Sequence, residues 1–141
     1  MESLSFMTRK QARENAFMIV FEKNFNEETV TEIIENAVSI RAFELDKDGY
    51  ILNVTSKVFD NIEEVDKTIS NNLSSGWRLE RISKVSLSVL RLAVSEMLYL
   101  EDIPVGVSIN EAVELTKKYS DEKDAAFVNG VLSSVNKASE N

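Results

Sequence analysis

An aromatic ring, a lysine and a glycine near the end of the chain have a spacing that could hold a nucleic acid. At about 100° per residue from Val128, Phe127 lies to one side of the apolar stripe, and Lys123 and Gly130 share that side. A half-exposed aromatic ring stacks on nucleobases while a nearby lysine contacts a phosphate. In the alternative, Phe127 packs under a neighbouring helix and Gly130, which costs about 1 kcal/mol inside a helix, permits the crossing. Spacing alone does not separate the two.

A second candidate lies at the start of the first predicted helix. Arg9, Lys10 and Arg13 are offset there only by Glu14. Cations at a helix N-terminus oppose the helix dipole, which indicates an external anion as their partner. Because charge runs are usually solvated, spacing by itself favours a solvated basic turn over an anion site.

The composition excludes most catalytic chemistry. The 141 residues include no cysteine and no histidine, which removes disulfides, thiolates, the usual zinc ligands and the Ser-His-Asp arrangement. Carboxylate-only metal sites and Lys- or Glu-based chemistry remain open to such a chain, but they are a minority of enzymes. We expect no catalytic residue, no metal and no cofactor. The net charge of −8 argues against a generally basic nucleic-acid binder but leaves room for a local basic patch. No targeting leader or membrane-spanning run is evident, so we expect a cytoplasmic protein with no membrane partner.

These candidates must be positioned by helices, since the chain has one proline, four glycines and few strand-like alternations. The stretch Val85–Leu100 is apolar at nearly every helical phase, which predicts a central helix that is buried on most sides. It should end before Pro104, because proline lacks a backbone donor and restricts the residue before it. Ser108 and Glu111 have capping-box spacing and predict the start of the next helix.

The remaining helices follow from caps and 3-4 apolar spacing. The predicted starts or spans are Thr8 for the first helix, Asn26 for the second, Val54–Leu73 with an interruption at Asp60–Asn61 for the third region, and Asp121–Lys137 for the last. The run Ser74-Ser75-Gly76 is the best internal boundary. It divides a single domain into helical halves at about 8–75 and 77–138.

Two further residues have structural interpretations at this stage. The single tryptophan, Trp77, is predicted to plug the core between the two halves rather than to serve as a ligand platform, because such rings dominate burial. Arg91 lies inside the apolar central helix. We expect it to be ion-paired, with Glu111 or Glu114, and not to be catalytic.

Several longer stretches carry a family resemblance that covers the chain from Thr8 onward. They are QARENAF at 11–17, WRLERI at 77–82, VLRLAVSEML at 89–98, DIPVGVSINEAVELTKKYSDEK at 102–123 and FVNGVL at 127–132. In order and spacing they resemble the NusB family of bacterial transcription antitermination factors. The resemblance implies a non-enzymatic, all-α domain of about seven helices in two packed helical subdomains.

The resemblance also implies partners and sites. Members of the NusB family bind boxA RNA of ribosomal RNA leader transcripts together with the ribosomal protein NusE, and this complex joins RNA polymerase and other Nus factors. The implied RNA-binding residues are Arg9, Lys10, Arg13, Lys123, Phe127 and Asn129. The implied partner-binding residues, in the segment 80–88, are Glu80, Arg81, Lys84 and Ser86.

Departures from the family pattern bear on affinity. Thr8 and Gln11 stand where arginine is frequent, Ala126 replaces a common lysine, and Ser86 replaces a common acidic residue. We therefore expect weak RNA binding by the isolated chain, with the protein partner supplying much of the affinity.

Two alternatives stay open beside this interpretation. One is a helical protein-interaction adaptor without intrinsic RNA binding, in which the basic turn is solvated and Phe127 is buried. The other is the related domain that precedes ribosomal RNA cytosine methyltransferases; no glycine-rich cofactor loop occurs before Asn141, so we expect no methyl-transfer site. Some relatives self-associate, so a homodimer is a further partner to test.

Overall fold

The computed structural model describes residues 7–25, 27–29, 31–33, 35 and 49–140. Residues 31–33 and 35 are helical, and the other described ranges form six α-helices with a 3₁₀ helix at Leu79–Arg81 between the third and the fourth. The α-helices are α1 Arg9–Glu22, α2 Tyr50–Asp60, α3 Ile62–Asn71, α4 Lys84–Tyr99, α5 Val105–Tyr119 and α6 Glu122–Ser139. No strand occurs within these ranges, and the all-α prediction is confirmed. The helix predicted from Asn26 falls mostly outside the described residues.

Helix α4 is the centre of the fold, as its apolar sequence predicts. It packs against α1, α2, α3, α5 and α6. Its buried residues lie at nearly every helical phase and include polar ones as well as apolar ones. In the described part of the chain, no helix is long and apolar enough to cross a membrane.

The start of α1 has the predicted cap. The backbone N–H of Gln11 donates to the Thr8 hydroxyl at 3.1 Å, and the Gln11 side chain accepts from the Thr8 N–H at 2.8 Å. This reciprocal capping box satisfies two backbone donors that a helix N-terminus leaves open. It fixes where the basic first turn of α1 begins.

The start of α5 differs from the prediction. The helix begins at Val105, directly after Pro104, so Ser108 lies within the first turn and does not cap it. The Ser108 side chain is buried, and its hydroxyl donates to the Glu96 carboxylate on α4 at 2.7 Å. A tertiary partner therefore takes the hydroxyl that local sequence assigns to a cap.

Other boundaries follow the sequence closely. The predicted interruption is present, since α2 ends at Asp60 and α3 begins at Ile62. Asp121 caps α6 by accepting the N–H of Asp124 at 2.8 Å. After α3 the chain turns at Gly76, which has a φ of +90°. Glycine adopts this conformation without strain because it has no Cβ. The division into two subdomains at this turn stays a prediction.

Candidate nucleic-acid interface

The rings of Trp77 and Phe127 pack together at the surface beside the turn at Gly76. Their centroids are 5.2 Å apart with an interplanar angle of 37°. Trp77 is 48% exposed, so the prediction that it plugs the core is wrong: its ring packs on the outer edge of α6 instead. Phe127 is half-buried at the edge of the core, as its helical phase predicts. The two rings form an aromatic platform, and sequence analysis did not predict that they pack together.

The solvent-facing side of α6 continues from this platform. Lys123, Ala126, Asn129 and Gly130 are all exposed there. A Cβ on Gly130 would meet no atom within 4 Å, so the glycine does not serve a helix crossing. Lys123 has no ion-pair partner among the described residues. This side of α6 therefore carries small side chains at Ala126 and Gly130 beside the unpaired cation of Lys123.

Neighbouring elements hold this surface in place. The Ser134 hydroxyl on α6 donates to the Asn72 side chain at the end of α3 at 2.7 Å. This bond ties α6 to the segment that leads into Trp77. On the other flank, Asn129 lines an open groove between α5 and α6 that Asn110 also lines. Two amide groups, each able to donate and accept, therefore border the same groove.

The basic start of α1 is partly neutralised by the rest of the fold. The Lys10 side chain is 68% exposed, and its Nζ lies 3.8 Å from Oε2 of Glu111 on α5. The Arg9 guanidinium lies 4.5 Å above the centre of the Tyr50 ring. Lys10 is exposed and Arg9 is half-buried, so both stay candidates for phosphate contact.

Arg13 does not belong to this surface. It is 4% exposed, and its Nε lies 2.8 Å from Oε2 of Glu96. Burial alone would lower the pKa of Arg13, but the hydrogen bond and the charge of Glu96 outweigh it and raise that pKa. The guanidinium is enclosed and already paired, so the structure does not present Arg13 on the surface as its predicted RNA contact requires.

The predicted partner segment is only partly available. Glu80, Arg81 and Lys84 are exposed around the 3₁₀ helix and the start of α4. Ser86 is 1% exposed, so its side chain is not presented at the surface as the predicted partner contact requires. At that position the first turn of α4 already faces the core.

Arg91 is ion-paired as expected, but with another residue. Its Nε and one terminal nitrogen donate to the two carboxylate oxygens of Asp66 at 2.9 and 2.8 Å. The predicted partners, Glu111 and Glu114, lie on α5, whereas Arg91 extends toward α3. This two-bond geometry holds α3 against α4 and leaves no catalytic role.

Together these features define a class of protein. Within the described ranges, no group of His, Cys, Asp and Glu side chains is arranged to hold a metal ion. The exposed features are the aromatic platform of Trp77 and Phe127, the unpaired Lys123 on α6, and the groove between α5 and α6 that Asn110 and Asn129 line. Fold and site thus define an all-helical binding protein with an open recognition surface.

Comparison with known proteins identifies the family. The model of the NusB family matches residues 10–137, and the chain belongs to that family. Transcription antitermination protein NusB of Natranaerobius thermophilus is 42% identical over 132 residues, covering 92% of this chain and 94% of the relative. Members are non-enzymatic antitermination factors, so both the resemblance and the non-enzymatic prediction are confirmed.

Solved structures agree with this assignment. T. maritima NusB superposes with a TM-score of 0.84 at 30% identity, covering 94% of this chain and 93% of that one. A crystal structure of antitermination factors NusB and NusE in complex with dsRNA gives a TM-score of 0.82 at 33% identity, covering 92% and 96%. That relative therefore combines the fold with a protein and an RNA partner.

Proposed function

We propose that this antitermination factor binds the boxA element of ribosomal RNA leader transcripts together with the ribosomal protein NusE. The assembled complex then joins RNA polymerase and other Nus factors and suppresses termination. Since bacterial transcription takes place in the cytoplasm, we place its action there. The relative crystallised with NusE and RNA supports both partners.

The observation that carries the proposal is the exposed side of α6 around Phe127. An aromatic ring at the surface, with Lys123 beside it, supplies a stacking face and a phosphate contact. Asn129 adds an amide that reads a base edge, because its two donors and its carbonyl match nucleobase patterns. The absence of bulk at Ala126 and Gly130 lets an RNA backbone lie close to the helix.

A second contact is proposed at the start of α1. Lys10 and Arg9 lie at the surface of the first turn, where the capping box fixes the backbone. Few cations are thus available on a chain of net charge −8. RNA affinity of the chain alone should therefore be weak and salt-sensitive, with NusE supplying additional contacts.

For the protein partner, we propose docking on the exposed part of the segment 80–88. Glu80 and Lys84 present opposite charges there, which suits recognition by complementary charges on a partner. The adaptor alternative would place all binding at such protein contacts and none at Phe127. Its support is the acidic total charge, and it is an outcome of the experiment below.

The experiment is an anisotropy titration of labelled boxA RNA against a scrambled RNA, with three variants. Phe127→Leu keeps an apolar side chain at the core edge and removes the stacking face, so we expect affinity to fall by about 5- to 150-fold. Phe127→Tyr should retain most of the affinity. Leu52→Ala, at an exposed position on α2, is the matched control and should bind like the parent. Equal affinity of the parent and Phe127→Leu would favour the adaptor.

A further inference from the structure

The turn between α3 and α4 forms an open concavity next to the aromatic platform. It is lined by Ser75, Gly76, Trp77 and Arg81 and has a volume of about 460 Å³. Ligand pockets in proteins span roughly 300–1,000 Å³, so the space is sufficient for a small planar group. Trp77 is 48% exposed and borders this concavity, while Phe127 packs against its ring.

The segment that forms the concavity is basic, in contrast to the chain as a whole. Residues 75–84 carry Arg78, Arg81 and Lys84 against a single carboxylate, Glu80, on a chain of net charge −8. All four are exposed. None of the three cations has an ion-pair partner within the part of the chain that the structure describes. An unpaired basic cluster beside an exposed indole is the complement of an anionic ligand that carries an aromatic group.

We propose that this concavity is a second RNA subsite, which takes the nucleotide next to the one at Phe127. The base stacks on Trp77, and the adjoining phosphate contacts the Arg81 guanidinium. This proposal rests on the proposed RNA-binding function, since the platform is continuous from Phe127 to Trp77. It moves Arg81 from the predicted protein-binding segment to the RNA site.

The chemistry favours a single-stranded segment as the occupant. In a duplex the base faces are covered by their neighbours, whereas unpaired nucleotides can splay out and stack on aromatic side chains. Two adjoining rings at one surface suit two successive bases of one strand. A protein partner at the same place would need anionic side chains, and it is treated as an outcome of the test.

The test uses the single tryptophan of the chain as its own reporter. The full-length protein is titrated with single-stranded boxA RNA while Trp77 fluorescence and RNA anisotropy are followed together. Stacking of a base on the indole should quench the fluorescence in parallel with the anisotropy rise. A fully paired RNA duplex of the same sequence should bind without comparable quenching.

Variants and RNA length sharpen the assignment. Trp77→Leu should lower affinity by about 5- to 150-fold, and Trp77→Phe should restore most of it. Arg81→Gln should reduce the slope of log affinity against log salt by about 0.7, whereas Lys67→Gln on α3 should not. Removing the terminal nucleotide at one end of the RNA should weaken binding to the parent but not to Trp77→Leu.

The outcomes separate this proposal from the one on which it rests. The second subsite would be overturned, and the proposed function left intact, if the RNA bound by anisotropy without any change in Trp77 fluorescence and if Trp77→Leu bound the RNA as tightly as the parent. Absence of any RNA binding would overturn both. Loss of NusE binding, but not of RNA binding, in Trp77→Leu and Arg81→Gln would assign the concavity to protein. Equal quenching by duplex would overturn the single-stranded occupant.

Discussion

Arg13 on α1 and Glu96 on α4 form a buried ion pair, with 2.8 Å between Nε and Oε2. The same Glu96 carboxylate accepts hydrogen bonds from the hydroxyls of Tyr50 and Ser108. One carboxylate therefore joins α1, α2, α4 and α5. Because Arg13 is one helical turn beyond Lys10, this network sets the position of the basic first turn relative to the rest of the fold.

Removing the guanidinium should cost stability. In Arg13→Met the Glu96 carboxylate keeps two hydroxyl donors but loses its counter-charge inside the core. Breaking a buried pair in this way costs about 3–5 kcal/mol. Urea unfolding of the parent and of Arg13→Met measures the difference. The double variant Arg13→Met/Glu96→Leu should be less unstable than the sum of the two single variants. If Arg13→Met were as stable as the parent but bound RNA more weakly, Arg13 would be assigned to the RNA-binding site instead.

Removing the carboxylate that faces Lys10 should strengthen RNA binding. Glu111 lies 3.8 Å from Lys10 and competes with a phosphate for the ammonium group. Since exposed pairs contribute about 0–1 kcal/mol, Glu111→Gln should raise boxA affinity by up to about fivefold at low salt. Glu63→Gln, at an exposed position on α3, is the control. Unchanged affinity in both Glu111→Gln and Lys10→Gln would show that Lys10 does not contact the RNA.

The free energy of unfolding should fall at low pH as Glu14 becomes protonated. Hydrogen bonds from Lys118 and Tyr119 hold the pKa of Glu14 below its ordinary value of 4.5. A carboxyl with a depressed folded pKa stabilises the fold above its unfolded pKa, and this contribution is lost as the pH falls through the folded pKa. Urea unfolding below pH 4.5 should show this loss in the parent. Glu14→Gln should show a smaller loss over the same range.

The same contact should act in alkali with the opposite sign. Hydrogen bonding to Glu14 raises the pKa of Tyr119 from 10.0 to about 12. Its contribution to stability is fully present below pH 10 and is lost as the pH rises toward about 12. The free energy of unfolding, measured across this pH interval, should decline less steeply in Tyr119→Phe than in the parent. Identical decline in both would contradict the contact.

Salt dependence should count the phosphates that each cation neutralises. For single-stranded RNA each contact contributes about 0.7 to the slope of log affinity against log salt. Lys123→Gln should therefore reduce the slope by about that amount. Lys67→Gln serves again as the matched control, because that lysine is exposed on α3. Equal slopes for the two variants would remove Lys123 from the interface.

Features that depend on local sequence were predictable. The apolar run at 85–100 predicted the buried central helix, and the Thr8 cap is where its hydroxyl and the following residues placed it. Helical phase placed Phe127 at the edge of the apolar stripe, although it did not decide between a half-exposed ring and one packed under a neighbouring helix. Periodicity and capping are set by neighbours a few residues away, which the sequence displays directly.

Features that depend on tertiary partners were not predictable in the same way. Arg13 reads as part of a basic run, but Glu96, 83 residues away, draws it into the core. Trp77 reads as core, but the turn at Gly76 directs it onto the outer edge of α6. Arg91 pairs with Asp66 for the same reason, since helix packing decides which carboxylate faces it.

The central claim is tested most directly by one titration of labelled boxA RNA with the parent protein, alone and with the NusE partner. We predict weak binding by the chain alone, cooperative tightening when NusE is present, and loss of most of that affinity in Phe127→Leu in both series. If the protein did not change the RNA anisotropy in either series while it still bound NusE, the account would be contradicted. The protein would then be an adaptor without RNA recognition.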